Sequence, residues 1–181
     1  IAQTHSEDVF GILGEDFTFP VKIDEKITEI IWTKNKNKVA EWEDPGGTKY
    51  FNSLLDRGFL NKENGRLTIM NLESSDAGTY VLDFFSSGNS MKTFVLTVLD
   101  PPSEPKISCN ISDGYFVLKC TADFPKTLNY TWKFSSFQNA SQTQETSIPA
   151  EAVGASERAT CFVRFSETEK NSEISLDECY S

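Results

Sequence analysis

The chain has 181 residues, long for one domain and comfortable for two of about 100 residues each. Its formal charge of −10 argues against nucleic acid and against an anionic membrane surface as the main partner, since both call for a basic face. Aromatic residues make up 12% of the chain, 14 of them Phe, so there is ample material for hydrophobic cores.

In chain order, residues 17–21, 29–33, 66–70, 79–83 and 93–98 are rich in β-formers and are separated by Gly, Asn, Asp and Lys clusters. The stretch Asp100-Pro-Pro-Ser-Glu-Pro105 interrupts them. Its prolines withhold ladder hydrogen bonds and favour a short, extended linker. Domains are therefore expected at 1–99 and 106–181, joined by a linker at 100–105. The second half repeats the strand pattern at 115–120, 130–134, 161–165 and 174–176. There is no long amphipathic helix and no run of about 20 apolar residues, so the chain reads as all-β with no bilayer-spanning segment. Ile1-Ala2-Gln3 reads as a mature or trimmed N-terminus, and a membrane anchor is expected outside these residues.

All four cysteines, Cys109, Cys120, Cys161 and Cys179, lie in the second half without CxxC spacing. That favours disulfides over a zinc site, and four cysteines allow three pairings. The same half carries three Asn-x-Ser/Thr sequons, at Asn110, Asn129 and Asn139. Together these features point to the secretory pathway and an oxidising exterior. His5 is the only histidine and lies near a terminus, which argues against a histidine-based triad or metal site. Gly46-Gly47 and Gly88 read as turn residues, and no carboxylate pair is singled out. No catalysis, cofactor, metal or small-molecule substrate is expected.

In the first half Trp32 follows Val21 by eleven residues, and Asp76-Ala-Gly-Thr-Tyr80 leads on to Leu82. This resembles the signature of variable-type immunoglobulin domains, with Trp32 and Tyr80 in the core and Arg57 paired with Asp76. By that resemblance Val21 and Leu82 stand where the intersheet disulfide usually lies, and two aliphatic side chains pack in its place. In the second half Cys120, Trp132 and Cys161 follow the Cys…Trp…Cys order of a constant-type immunoglobulin domain. The resemblance implies a Cys120–Cys161 bond and leaves Cys109 with Cys179. The expected architecture is two tandem immunoglobulin-like sandwiches, with both disulfides in the second.

A disulfide-free variable-type domain before a constant-type domain with two disulfides resembles the signalling lymphocytic activation molecule (SLAM) family. The segments that carry the resemblance are Trp32-Thr-Lys-Asn-Lys-Asn-Lys-Val-Ala-Glu-Trp42, Gly65-Arg-Leu-Thr-Ile-Met-Asn-Leu72, Ser74-Ser-Asp76 and Ser90-Met-Lys-Thr-Phe94. It implies a cell-surface, extracellular adhesion ligand whose partner is an immunoglobulin-superfamily receptor on T cells and natural killer cells, the rosette receptor. Contact would use the outer face of one sheet of the first domain. By alignment with the family, Glu29, Lys34, Lys36, Lys38, Glu41, Glu43, Lys49, Phe51 and Lys92 fall on contact positions, and Asp83 lies among them. Strand alternation puts Glu29, Ile31 and Thr33 outward if Trp32 faces in, and Val39, Glu41 and Glu43 outward if Ala40 and Trp42 face in. Phe84 and Phe85 read equally well as anchor or plug. A soluble or viral decoy of the same fold, or a homophilic family member, is the alternative reading.

Overall fold

In the computed structural model of the chain, the residues described are 5–136, 141–154 and 156–180. The chain forms two compact units, Ile1–Asp100 and Pro101–Ser181.

The first unit contains β1 (Ser6–Ile12), β2 (Phe17–Thr18), β3 (Glu29–Lys34), β4 (Asn37–Glu43), β5 (Lys49–Tyr50), β6 (Gly58–Leu60), β7 (Leu67–Ile69), β8 (Gly78–Phe85) and β9 (Asn89–Leu99). They make a six-stranded sheet in the order β1-β9-β8-β3-β4-β5 and a three-stranded sheet in the order β2-β7-β6. All neighbours run antiparallel except β1, which lies parallel to β9. The strand read at 17–21 stops at Thr18. Pro20 has no N–H to give a ladder, and the Val21 N–H bonds to the nearby Phe19 carbonyl at 2.9 Å instead.

One hydrophobic core fills this unit. Phe19 is the hub, with ring centres 4.9 Å from Trp32, 4.8 Å from Tyr80 and 5.4 Å from Phe94. The indole N–H of Trp32 would be stranded in such a site. It donates to the Gly65 carbonyl at 3.0 Å. Val21 and Leu82 are both buried in this core, which contains no cysteine.

The corner before β8 is tied by polar contacts. The Tyr80 hydroxyl donates to the Asp76 carbonyl at 2.6 Å. Asp76 is fully buried, and its carboxylate accepts two guanidinium N–H groups from Arg57, at 3.1 and 2.5 Å, and the Glu73 N–H at 2.8 Å. A buried carboxylate is tolerated only with this kind of pairing. The hydrogen bond to Asp76 holds the Arg57 guanidinium above its ordinary pKa.

The second unit contains β10 (Lys106–Ser112), β11 (Tyr115–Thr121), β12 (Asn129–Phe134), β13 (Glu145–Pro149), β14 (Arg158–Phe165) and β15 (Thr168–Ser175). They form two three-stranded sheets, β10-β11-β13 and β12-β14-β15. Cys120–Cys161 bridges β11 and β14, with Cα atoms 6.4 Å apart. Cys109–Cys179 ties β10 to the final 3₁₀ turn, Leu176–Tyr180, across 5.3 Å. Trp132 is buried in the core, with its indole N–H on the Thr143 carbonyl at 2.9 Å. The strand read at 174–176 is longer and earlier. It starts at Thr168, and Leu176 already belongs to the turn. As an edge strand, β15 exposes Glu169, Asn171 and Glu173 and so lacks an apolar run.

Candidate functional site

The outward side of the six-stranded sheet follows from its register. Directly paired residues point to the same side of a sheet. One row crosses five strands: Met91, Asp83, Ile31, Glu41 and Lys49. The row beside it runs Asn89, Phe85, Glu29 and Glu43. On the other flank lie Thr93, Val81, Thr33 and Lys38. Ile30, Trp32 and Leu82 lie between these rows on the inner side and are buried, as is Phe94 just beyond Thr93.

The β3–β4 pairing carries a bulge. Trp32 stands opposite Ala40, but the next residue, Thr33, stands opposite Lys38. Val39 is the extra residue. It is not outward, as plain alternation from Ala40 would have it, but 1% exposed and packed in the core. The bulge turns Val39 inward and carries Lys38 to the outer face in its place. The hairpin before it turns through Asn35 and Lys36, both with positive φ (47° and 74°), so the Lys36 side chain sits at an exposed tip.

Lys38 is the centre of a small cluster. Its ammonium lies 2.7 Å from Glu41 Oε2 and 5.6 Å from the centre of the Phe51 ring. Phe51 follows β5 directly and its N–H bonds to the Val39 carbonyl at 2.9 Å, so it continues the outward alternation set by Lys49. Both members of the Lys38–Glu41 pair are solvated, and such a pair adds little stability. Its consequence is placement: it fixes a charge beside an aromatic ring.

The structure gathers Glu29, Lys38, Glu41, Glu43, Lys49, Phe51 and Asp83 on one side, with Lys36 at its rim. It does not bring Lys34 or Lys92 there. Lys34 pairs with buried Tyr80, and its ammonium donates to the Ser75 carbonyl. Lys92 pairs with buried Leu82 and shares the parity of Phe94. Two apolar residues join the face that the family alignment does not supply: Met91, 55% exposed, and Phe85, 41% exposed. Phe84, its neighbour, is buried and acts as the plug. Strict alternation from Tyr80 and Phe94 would have found both.

Charge is unevenly spread over this face. Glu29, Glu43 and Asp83 surround Ile31 and Phe85, whereas Lys36, Lys38 and Lys49 lie toward the Phe51 side. A shallow depression of about 340 Å³ lies between Glu29, Ile31, Glu41, Glu43 and Lys49. It is open and mixed in polarity, suited to a protein surface rather than to enclosing a small molecule.

No protein-family profile matches the chain. Human lymphocyte function-associated antigen 3 is 33% identical over 115 residues, which is 64% of this chain and 45% of that protein. The chain therefore spans less than half the length of that relative. Among solved structures, the CD2-binding domain of CD58 (lymphocyte function-associated antigen 3) superposes with a TM-score of 0.54 at 22% identity, covering 94% of this chain and 97% of the other. The first immunoglobulin-like domain of human CD48 gives 0.50 at 24% identity over 62% of this chain and 96% of its own. These likenesses show the fold. The chain is an all-β, immunoglobulin-fold protein similar to lymphocyte function-associated antigen 3.

Proposed function

We propose that this chain is the extracellular part of a cell-surface adhesion ligand, with a variable-type domain before a constant-type one. Its first unit binds an immunoglobulin-superfamily receptor of T cells and natural killer cells, CD2 or its counterpart, through the outer face of the six-stranded sheet, and so supports cell contact and costimulation. One observation carries this reading: the row Met91–Asp83–Ile31–Glu41–Lys49, flanked by Lys38 over Phe51, is a continuous mixed-charge face with an apolar centre.

The physical logic suits adhesion. Exposed charges steer encounter and reject wrong partners while adding little net affinity. Many weak contacts between opposed membranes then act together. Phe51 is the apolar anchor, and Lys38, Glu41, Glu29, Glu43, Lys49 and Asp83 supply the charge pattern. The three sequons all lie in the second half, away from this strand set in sequence.

The test is surface plasmon resonance of the whole chain against the CD2 ectodomain over a salt series. Binding in roughly the micromolar range that weakens as salt rises supports the reading. No binding by the folded chain refutes it. The acidic group Glu29, Glu43 and Asp83, set apart from Lys36, Lys38 and Lys49, favours a second reading, homophilic contact, because two copies related by a two-fold axis can set the acidic end of each on the other's lysines. Sedimentation of the chain alone separates the two: a concentration-dependent dimer lost on Lys38→Glu supports self-contact.

A further inference from the structure

In the second unit, the outward side of the β10–β11–β13 sheet pairs Asn110 with Val117 and Ser147, and Ser112 with Tyr115 and Pro149. Phe116, Leu118 and Ile148 face the core, so Tyr115, Val117 and Pro149 lie outward as an apolar strip. Tyr115 is 46% exposed. Asn110 is itself exposed, on the edge strand directly across from Val117. Tyr115, two residues from Val117 on the same face, is its diagonal neighbour. Such neighbours lie about 7–8 Å apart, within reach of a large group.

We propose that an N-glycan on Asn110 lies down along this strip, with the C–H face of its first N-acetylglucosamine packed on the Tyr115 ring and Val117. The glycan then completes the surface of the second unit. A pyranose presents an apolar C–H face, and covering an exposed aromatic with it removes apolar area from water. The occupant is fixed by the chain itself, because the attachment atom lies on the strip's own border. Attachment joins the Asn110 amide nitrogen to the anomeric carbon of an oligosaccharide carried on a lipid pyrophosphate; the amide proton and the lipid pyrophosphate leave.

Asn129 provides an internal contrast. It is paired with Arg164 on the outer side of β12, and the aromatic of that face, Phe162, already has the Lys133 ammonium 5.0 Å from its ring centre. A glycan there meets a ring that a cation already covers, whereas beside Asn110 the exposed Lys119 lies on the opposite diagonal from Tyr115, which is 46% exposed.

This inference rests on the secretory, glycosylated reading of the chain, and the experiment separates the two. The full chain is secreted from mammalian cells with Asn129→Gln and Asn139→Gln, leaving Asn110 as the sole sequon. Intact mass measures occupancy. Thermal melting of the reductant-sensitive transition is then compared with and without Ser112→Ala, which removes the sequon, in the Tyr115 and the Tyr115→Ser backgrounds. Loss of the glycan lowers the midpoint by about 3 °C with Tyr115 present and by less than about 1 °C in Tyr115→Ser. Equal shifts in both backgrounds overturn the packing, and an unoccupied Asn110 overturns its premise. Nuclear Overhauser contacts between the N-acetyl methyl and the Tyr115 ring in the unmutated chain decide the matter without any variant, and their absence also overturns the proposal.

Discussion

The Lys38 ammonium lies 5.6 Å from the centre of the Phe51 ring, and that pairing exists only because Val39 bulges inward beneath it. Cation and ring therefore form one unit on the proposed contact face. Phe51→Ala and Lys38→Glu are each expected to weaken receptor binding about tenfold or more, the scale of an interface hot spot. Lys34→Ala is expected to leave affinity within about twofold, since Lys34 is engaged with the Ser75 carbonyl on the other side of the sheet. Surface plasmon resonance on the three variants, with matched melting curves, checks this. A Lys34 effect as large as that of Lys38 would restore the simple family alignment.

The bulge has its own test. Val39→Asp places an unpaired carboxylate in the core and is expected to destabilise the first unit by about 3 kcal/mol or more. Glu41→Ala, one turn of alternation away on the outer face, is expected to stay within about 0.5 kcal/mol. Urea unfolding distinguishes this from an outward Val39, for which the aspartate would be nearly neutral.

The Trp32, Tyr80, Asp76 and Arg57 positions were legible in the sequence through their resemblance to the variable-type immunoglobulin signature, in which each residue has one geometric role. Trp132 was legible in the same way, through the constant-type order. Val39 was not: a bulge is an extra residue in the ladder, and period-2 counting passes over it. The parity of Lys34 and Lys92 was obscured by charge, which suggests a surface while saying nothing of which surface. Strands β1, β10, β13 and most of β15 escaped because they lie at sheet edges or carry few apolar residues. Met91 was countable from Phe94 and was missed, and Phe85 was countable from Tyr80 but left open beside Phe84, because family alignment, rather than alternation, selected the site.

The Asp76 corner predicts an asymmetry. Removing the carboxylate with Asp76→Ala strands the Glu73 N–H and takes from Arg57 its paired acceptor, leaving the guanidinium on the Asn71 and Ser53 carbonyls and Glu73, and is expected to cost about 3 kcal/mol or more. Arg57→Lys keeps the charge but loses the paired fork, and is expected to cost less, about 1–2 kcal/mol. Chemical denaturation of both variants measures the difference.

Burial, with the Asp76 carboxylate adding to it, holds the Tyr80 phenol well above its ordinary pKa near 10. The folded state thus keeps a proton that the unfolded chain gives up. This contribution is fully present below about pH 10 and is lost as pH rises toward the folded value, by up to about 1.4 kcal/mol per pH unit. Unfolding free energy measured from pH 9 to 11 is expected to fall more steeply for the unmodified chain than for Tyr80→Phe. Parallel slopes would contradict it.

Both disulfides lie in the second unit, so reductant is expected to act there alone. Losing either bond typically costs about 2–5 kcal/mol. Calorimetry with dithiothreitol should lower one transition and leave the other, that of the cysteine-free first unit, in place.

One substitution tests directly whether the outer face of the first unit makes the proposed receptor contact. Ile31 sits in the middle of the face, and Ile31→Asn creates an Asn-Trp-Thr sequon there. With the added glycan verified by mass and the fold by melting, receptor binding by surface plasmon resonance should disappear. Binding that persists at unchanged affinity with the glycan in place would place the contact elsewhere.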